Sequence, residues 1–260
     1  LSIDIETYAE SKEINPHKNP ILMIAFYGKD GEKEFRKVIT WKRFTHALDY
    51  LEIVSDEVAL LERFRQIMVD YQPDIVTCYF TDGFDFPYIK VRSDKHKVKL
   101  NLGLDGSELR TGTGREGEAK IKGILHLDVL KFVKYIAGKN LKTHSYSLNA
   151  VSQELLGHEK HDVNLDELST VWNHDPDKLV DFCEYNLHDA HLTYQLCENL
   201  LPDMVEFTKL VGLPTFDVTR MRFSRLVESY ILKRAMEFNV VAPNRPGNFE
   251  LEQRQDEHIQ

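Results

Sequence analysis

The chain has 260 residues, with 33 Lys plus Arg against 42 Asp plus Glu, a formal charge of −9. That balance argues against broad, charge-driven duplex binding, and no apolar run approaches the ~18–20 residues of a membrane span. Three cysteines, Cys78, Cys183 and Cys197, are too few and too scattered for a disulfide framework or a zinc site, so a reducing cytoplasm is the expected setting.

Residues 1–7 alternate, with Ile3 and Ile5 on one face and Ser2, Asp4 and Glu6 on the other, which predicts a strand from the first residue. No charged-then-apolar leader opens the chain, and domains rarely begin inside a core strand, so upstream sequence is expected to have been removed. Residues 21–27 and 35–40 read as two further strands around the turn signal at 29–32, an antiparallel meander. Residues 56–71 form an amphipathic helix with Leu60, Leu61, Phe64, Ile67, Met68 and Tyr71 inward, Ser55 as N-cap and Pro73 as the stop. A buried strand over 74–80 follows, and helix running directly into strand signals an α/β layer structure. Six of the 13 glycines lie between Gly103 and Gly123, where an exposed hairpin is expected. After a strand over 124–129 the pattern becomes helical: 130–137, 146–156, 164–172, 176–199 and a pair from 202 to 238. Pro243, Pro246 and Gly247 break it, and residues 249–260 read as a frayed polar end.

Three acidic pieces carry chemistry. Asp4 and Glu6 are two apart on a strand, so both point to one face about 7 Å apart. On a strand covered on both sides they are costly unless a cation meets them. Tyr185 and Asp189 are four apart on the inward stripe that Leu179, Phe182, Leu192 and Leu196 mark. Asp85 opens a helix in the run 81–88. Each piece alone has a plain reading: an exposed strand face, a buried ion pair, and a helix-start carboxylate favoured by capping and dipole. Together they are far more specific.

The order Asp4-Ile-Glu6-Thr, then Asp82-Gly-Phe-Asp85-Phe-Pro-Tyr88, then Tyr185-Asn-Leu-His-Asp189-Ala resembles the three motifs of the 3′–5′ proofreading exonuclease domain of an archaeal-type family B DNA polymerase. The similarity runs over nearly the whole chain. The resemblance implies an α/β, ribonuclease H-like mixed sheet of the DEDD nucleases: an antiparallel meander plus parallel strands, flanked by helices, with a helical C-terminal extension. It implies an exonuclease domain over 1–200 with a hairpin insertion near 103–123, a helical connection over 201–246 toward an absent polymerase palm, and a polar tail over 247–260. The activity implied is hydrolysis of single-stranded DNA 3′ ends to 5′-nucleotides with two Mg²⁺ or Mn²⁺ ions. By the same resemblance Asp4 bridges the ions, Glu6 and Asp189 complete the nucleophile-side site, and Asp85 holds the second ion. Tyr185 would orient the attacking water, since a tyrosine pKa near ~10 disfavours deprotonation. Four carboxylates with little competing nitrogen or sulfur suit such hard ions.

The expected partners are the single-stranded 3′ end and the rest of the polymerase, in the same or a separate chain, with no membrane. With no aspartate-rich polymerase motif, this chain alone is not expected to synthesise DNA. Candidate strand contacts are Phe80, Phe84, Lys90 and Arg92, with Lys95, Lys97 and Lys99 behind them; a solvated helix face is the plain alternative for the cations. The family usually carries Asn at the position of Phe80. Phe there can stack on a base or be strand core, and the core reading is the favoured one. Three decoys are set aside. The string from Gly112 to Gly117 neither follows a strand nor opens a helix, His158 to His161 lacks zinc-protease spacing, and His126 and Asp128 are read as structural.

Overall fold

The computed structural model describes residues 1–9, 14–112, 117–158 and 163–242. Strands β1 (Ser2–Thr7), β2 (Ile21–Asp30) and β3 (Lys33–Thr40) form the antiparallel meander that alternation and the turn signal predict, with Asp4 opposite Ala25 and Glu6 opposite Met23. The short strand β4 (Leu51–Ile53) adds parallel to β3. Helix α1 (Glu57–Tyr71) then returns the chain to β5 (Ile75–Cys78), which lies parallel to β1. After α2 (Asp85–His96) and a separate hairpin, β6 (Arg110–Gly112) with β7 (Glu118–Lys120), strand β8 (Leu125–Asp128) pairs parallel with β5. The six-stranded order is β4-β3-β2-β1-β5-β8, the mixed sheet the sequence implied. This order buries β1 between β2 and β5.

The two faces of β1 do different work. Ile3 and Ile5 join Ile24, Phe26, Leu60, Leu61 and Phe64 in a core beneath α1 and α2. Each such side chain fully buried is worth about 1.5–3 kcal/mol. The opposite face turns toward the long helix α6 (Leu179–Val211), reached through α3 (Val129–Tyr135), α4 (Leu148–Leu156) and α5 (Leu168–His174). Met23, Ala25 and Tyr27 pack there with Phe182, Cys183 and Ala190. Two shorter helices follow among the described residues, α7 (Thr215–Val218) and α8 (Phe223–Ala235).

Several boundaries differ from expectation. The N-cap of α1 is Asp56, which accepts from the Ala59 amide, rather than Ser55. The strand expected over 74–80 stops at Cys78, and Phe80 takes a left-handed φ of +69° in the turn beyond. Asp175-Pro176 starts a short 3-10 turn, and α6 begins only at Leu179. Helix α6 also runs 33 residues through Pro202, so the helix break expected between 199 and 202 is absent. Proline removes one intrahelical bond, but Leu196, Cys197, Leu200, Met204 and Val211 keep both sides of the break in one core. The middle of the hairpin, most of the His158–His161 string and the polar tail lie outside the described residues.

Candidate active site

Strand alternation puts Asp4 and Glu6 on the α6 side of β1, and α6 sends Tyr185, Asn186 and Asp189 back toward them from one buried stripe. Asp85 comes from the first turn of α2, at the end of β5, and is buried. The four carboxylates lie close enough to oppose one another's ionisation. Burial, then Asp85, Asp189 and Glu6, push the Asp4 carboxyl well above its ordinary range, while a hydrogen bond from the Asn186 amide works the other way. Burial, Asp189 and Asp85 push Glu6 up to about 8. Burial pushes Asp85 up to about 7, against the backbone amides of Asp85 and Ile5, and Asp128 adds to the rise. Apart from the Asn186 amide, the groups acting on Asp4 and Glu6 are all carboxylates.

Such a cluster is stabilised by a multivalent cation. The donors are hard oxygens, which fit Mg²⁺ or Mn²⁺. Among the described residues no three His, Cys, Asp or Glu side chains already surround one point as ligands would. The acids share an electrostatic field rather than a finished coordination sphere.

Burial, followed by Asp189, raises the Tyr185 phenol above its ordinary value, and its hydroxyl hydrogen-bonds Asp189. A phenol held protonated is a donor that can aim a water and a poor base. The sequence reading passed over Asn186, whose Nδ2 donates to Asp4 Oδ2 at 2.6 Å. Its spacing three residues before Asp189 on the same inward stripe was the available signal.

The strand-contact candidates divide. Phe80 is not core: it is 46% exposed, its ring lies against Gly83, and its carbonyl accepts from the Gly83 and Phe84 amides. The strand ended two residues too early to bury it. Phe84 is partly buried against the core under α2 and against Tyr88, while Phe86 is fully buried. Lys90 pairs with Asp94 and lies 3.6 Å from Glu108. Arg92 is 3% exposed, its guanidinium spent on buried Glu57 and the Pro16 carbonyl. Its place on the inward stripe with Tyr88 and Ile89 was the available signal, and burial removes it from the strand contacts. His126 and Asp128 are fully buried.

A mixed sheet flanked by helices, with buried carboxylates delivered by its central strand and two helices, is the frame of a nuclease-like α/β domain. Residues 1–151 match the family described as DNA polymerase family B, exonuclease domain, and the chain belongs to that family. It is 35% identical over 256 residues to a DNA polymerase of Pyrococcus horikoshii, covering 98% of this chain and 20% of that protein. To a DNA polymerase of Pyrococcus glycovorans it is 36% identical, covering 98% and 31%. The chain thus spans about a fifth to a third of the length of such relatives. The family B DNA polymerase structure from Pyrobaculum calidifontis superimposes with a TM-score of 0.77 at 22% identity, over 95% of this chain and 30% of that one. No helix among the described residues is long and apolar enough to cross a membrane.

Proposed function

We propose that this domain is a two-metal 3′–5′ exonuclease that removes 5′-nucleotides from single-stranded DNA 3′ ends, as the proofreading part of a DNA polymerase. The observation that carries the reading is the meeting of Asp4, Glu6, Asp85 and Asp189, from three separate elements, in a buried field with no cation among the groups acting on Asp4 and Glu6.

In this reading Asp4, Glu6, Asp85 and Asp189 would hold two Mg²⁺ or Mn²⁺ ions. The ions would supply an activated water and neutralise charge at the scissile phosphate. Asn186 orients the Asp4 carboxylate through its 2.6 Å bond. The protonated Tyr185 hydroxyl, one turn from Asp189, directs the attacking water. The recessed site requires an unpaired end, and the exposed Phe80 ring offers a base a stacking face. With Arg92 removed, Lys90 and the exposed Lys95, Lys97 and Lys99 remain the candidate cations for the backbone. The partners of the reading are a single-stranded 3′ end and the remainder of a polymerase.

Incubating the domain with a 5′-labelled single-stranded oligonucleotide and Mg²⁺ tests this. The expected product is a ladder shortening from the 3′ end with release of 5′-nucleotides, abolished by Asp4→Ala. Activity retained by that variant, or a preference for RNA over DNA, would overturn the reading.

A further inference from the structure

Asp82 lies three residues before Asp85, in the turn between β5 and α2, and is completely buried. No side chain caps α2: its N-cap, Phe84, makes no such bond. The turn is held from outside instead. Asp128, at the end of β8, accepts from the Phe80 amide at 3.3 Å and the Asp82 amide at 3.0 Å. The Asp82 carboxylate accepts from the Ala119 amide of β7 at 2.7 Å and from Lys131 Nζ at 2.8 Å. It also receives a two-pronged pair from Arg220, Nε at 2.7 Å and Nη2 at 3.2 Å. Lys131 bonds the Gly117 carbonyl as well, and a side chain at position 117 would collide with the Asp82 carbonyl, so the hairpin backbone lies directly on the turn.

Arg220 belongs to the junction between α7 and α8, beyond residue 151 where the family match stops. Its Nη1 donates to the carbonyls of His126 and Phe216 at 3.1 and 3.0 Å, and its guanidinium stacks 3.7 Å over the Phe216 ring. His126, beside it, is kept neutral by burial and by Arg220 itself, its pKa pushed down to about 4. Arg220 and Lys131 are therefore the cations that answer the Asp82 charge. Four segments meet at this one carboxylate: the Asp85-bearing turn, the β6–β7 hairpin, α3 and the α7–α8 junction.

We infer that Arg220 is a positioning residue for the candidate active site: through Asp82 it fixes the turn that carries Phe80 and delivers Asp85. The α7–α8 segment is then part of the site's geometry rather than a passive connection. A bidentate arginine suits this role because its planar fork sets orientation as well as charge. The inference rests on the exonuclease reading for its consequence in catalysis, but not for its structural content.

The test compares Arg220→Met and Arg220→Lys with the unaltered domain by amide hydrogen exchange and by single-turnover cleavage of a single-stranded oligonucleotide. Arg220→Met is expected to speed exchange in residues 80–85 and 117–119 while β1 and β2 keep their protection. It should slow cleavage about tenfold to a hundredfold, as small misplacements of a reacting group do. Arg220→Lys should recover part of both effects, and it serves alone if the methionine variant does not fold. Unchanged exchange at 80–85, or faster exchange spread evenly over the whole chain, would overturn the inference. So would unchanged cleavage with a loosened turn. If the unaltered domain does not cleave, the exonuclease reading fails, and the exchange pattern alone decides whether Arg220 holds the turn.

Discussion

Replacing Arg92 with methionine separates a structural arginine from a strand-binding one. Glu57 at the start of α1 accepts from Arg92 Nε at 2.7 Å and again from Nη2, from the Ile21 amide at 2.9 Å, and lies 3.0 Å from His96 Nε2. Both partners are nearly sealed, with 7% of Glu57 and 3% of Arg92 exposed. Arg92→Met keeps the apolar stem but leaves the carboxylate without its main counter-charge. Removing one partner of such a buried pair costs about 3–5 kcal/mol. With an unfolding entropy of roughly 2.1 cal/mol/K per residue, a chain of this size loses about 6–9 °C in Tm for that amount. Adding Glu57→Gln should return a substantial part of the loss, because the stranded charge disappears. Calorimetry measures the stability, and fluorescence anisotropy with a single-stranded oligonucleotide at several salt concentrations measures binding. The reasoning expects a lower Tm with an unchanged salt slope. An unaltered Tm, with weaker binding and a slope reduced by about 0.7 as for one lost phosphate contact on a single strand, would refute it.

The raised carboxyls give a pH dependence whose sign is set. Glu6 and Asp85 titrate at about 8 and about 7 in the folded chain, above their ordinary 4.5 and 3.8. The folded state therefore binds more protons than the unfolded state through that interval, and metal-free stability falls as pH rises through it. Chemical denaturation in chelator at pH 5.5, 7 and 8.5 should show the decline, and Mn²⁺ should offset it; a flat profile contradicts the clustered acids. Tyr185→Phe should slow cleavage by about 10–100-fold with little change in the Mn²⁺ concentration required, as loss of a water-orienting donor would. A changed metal requirement would instead make the phenol part of the metal site. Phe80→Asn relieves a left-handed backbone that costs a non-glycine residue about 1 kcal/mol, so it should not lower Tm. If the ring stacks on a base, the same change weakens single-strand binding several-fold by anisotropy; unchanged affinity removes Phe80 from the strand contacts.

Much of this protein was legible in one dimension. Alternation over residues 1–7 gave β1 and placed Asp4 and Glu6 on one face, because strand periodicity is a local property. Helical spacing likewise put Tyr185 and Asp189 on one stripe, and the order of the acidic pieces identified the family that the comparisons then showed. What the sequence could not decide was which polar side chains end up sealed together. Helical spacing puts Arg92 on the stripe of Tyr88 and Ile89, but nothing local says that the partner met there is Glu57, 35 residues away. Phe80 looked like strand core until the strand ended at Cys78. The helices expected over 176–199 and from 202 onward are one, because packing on both sides of Pro202 carries α6 across it. Asp82 and Arg220 are 138 residues apart, and no local pattern relates them. Periodicity and capping act within a few residues, so they can be read along the chain. Burial and the balancing of charge depend on neighbours that only the folded topology supplies.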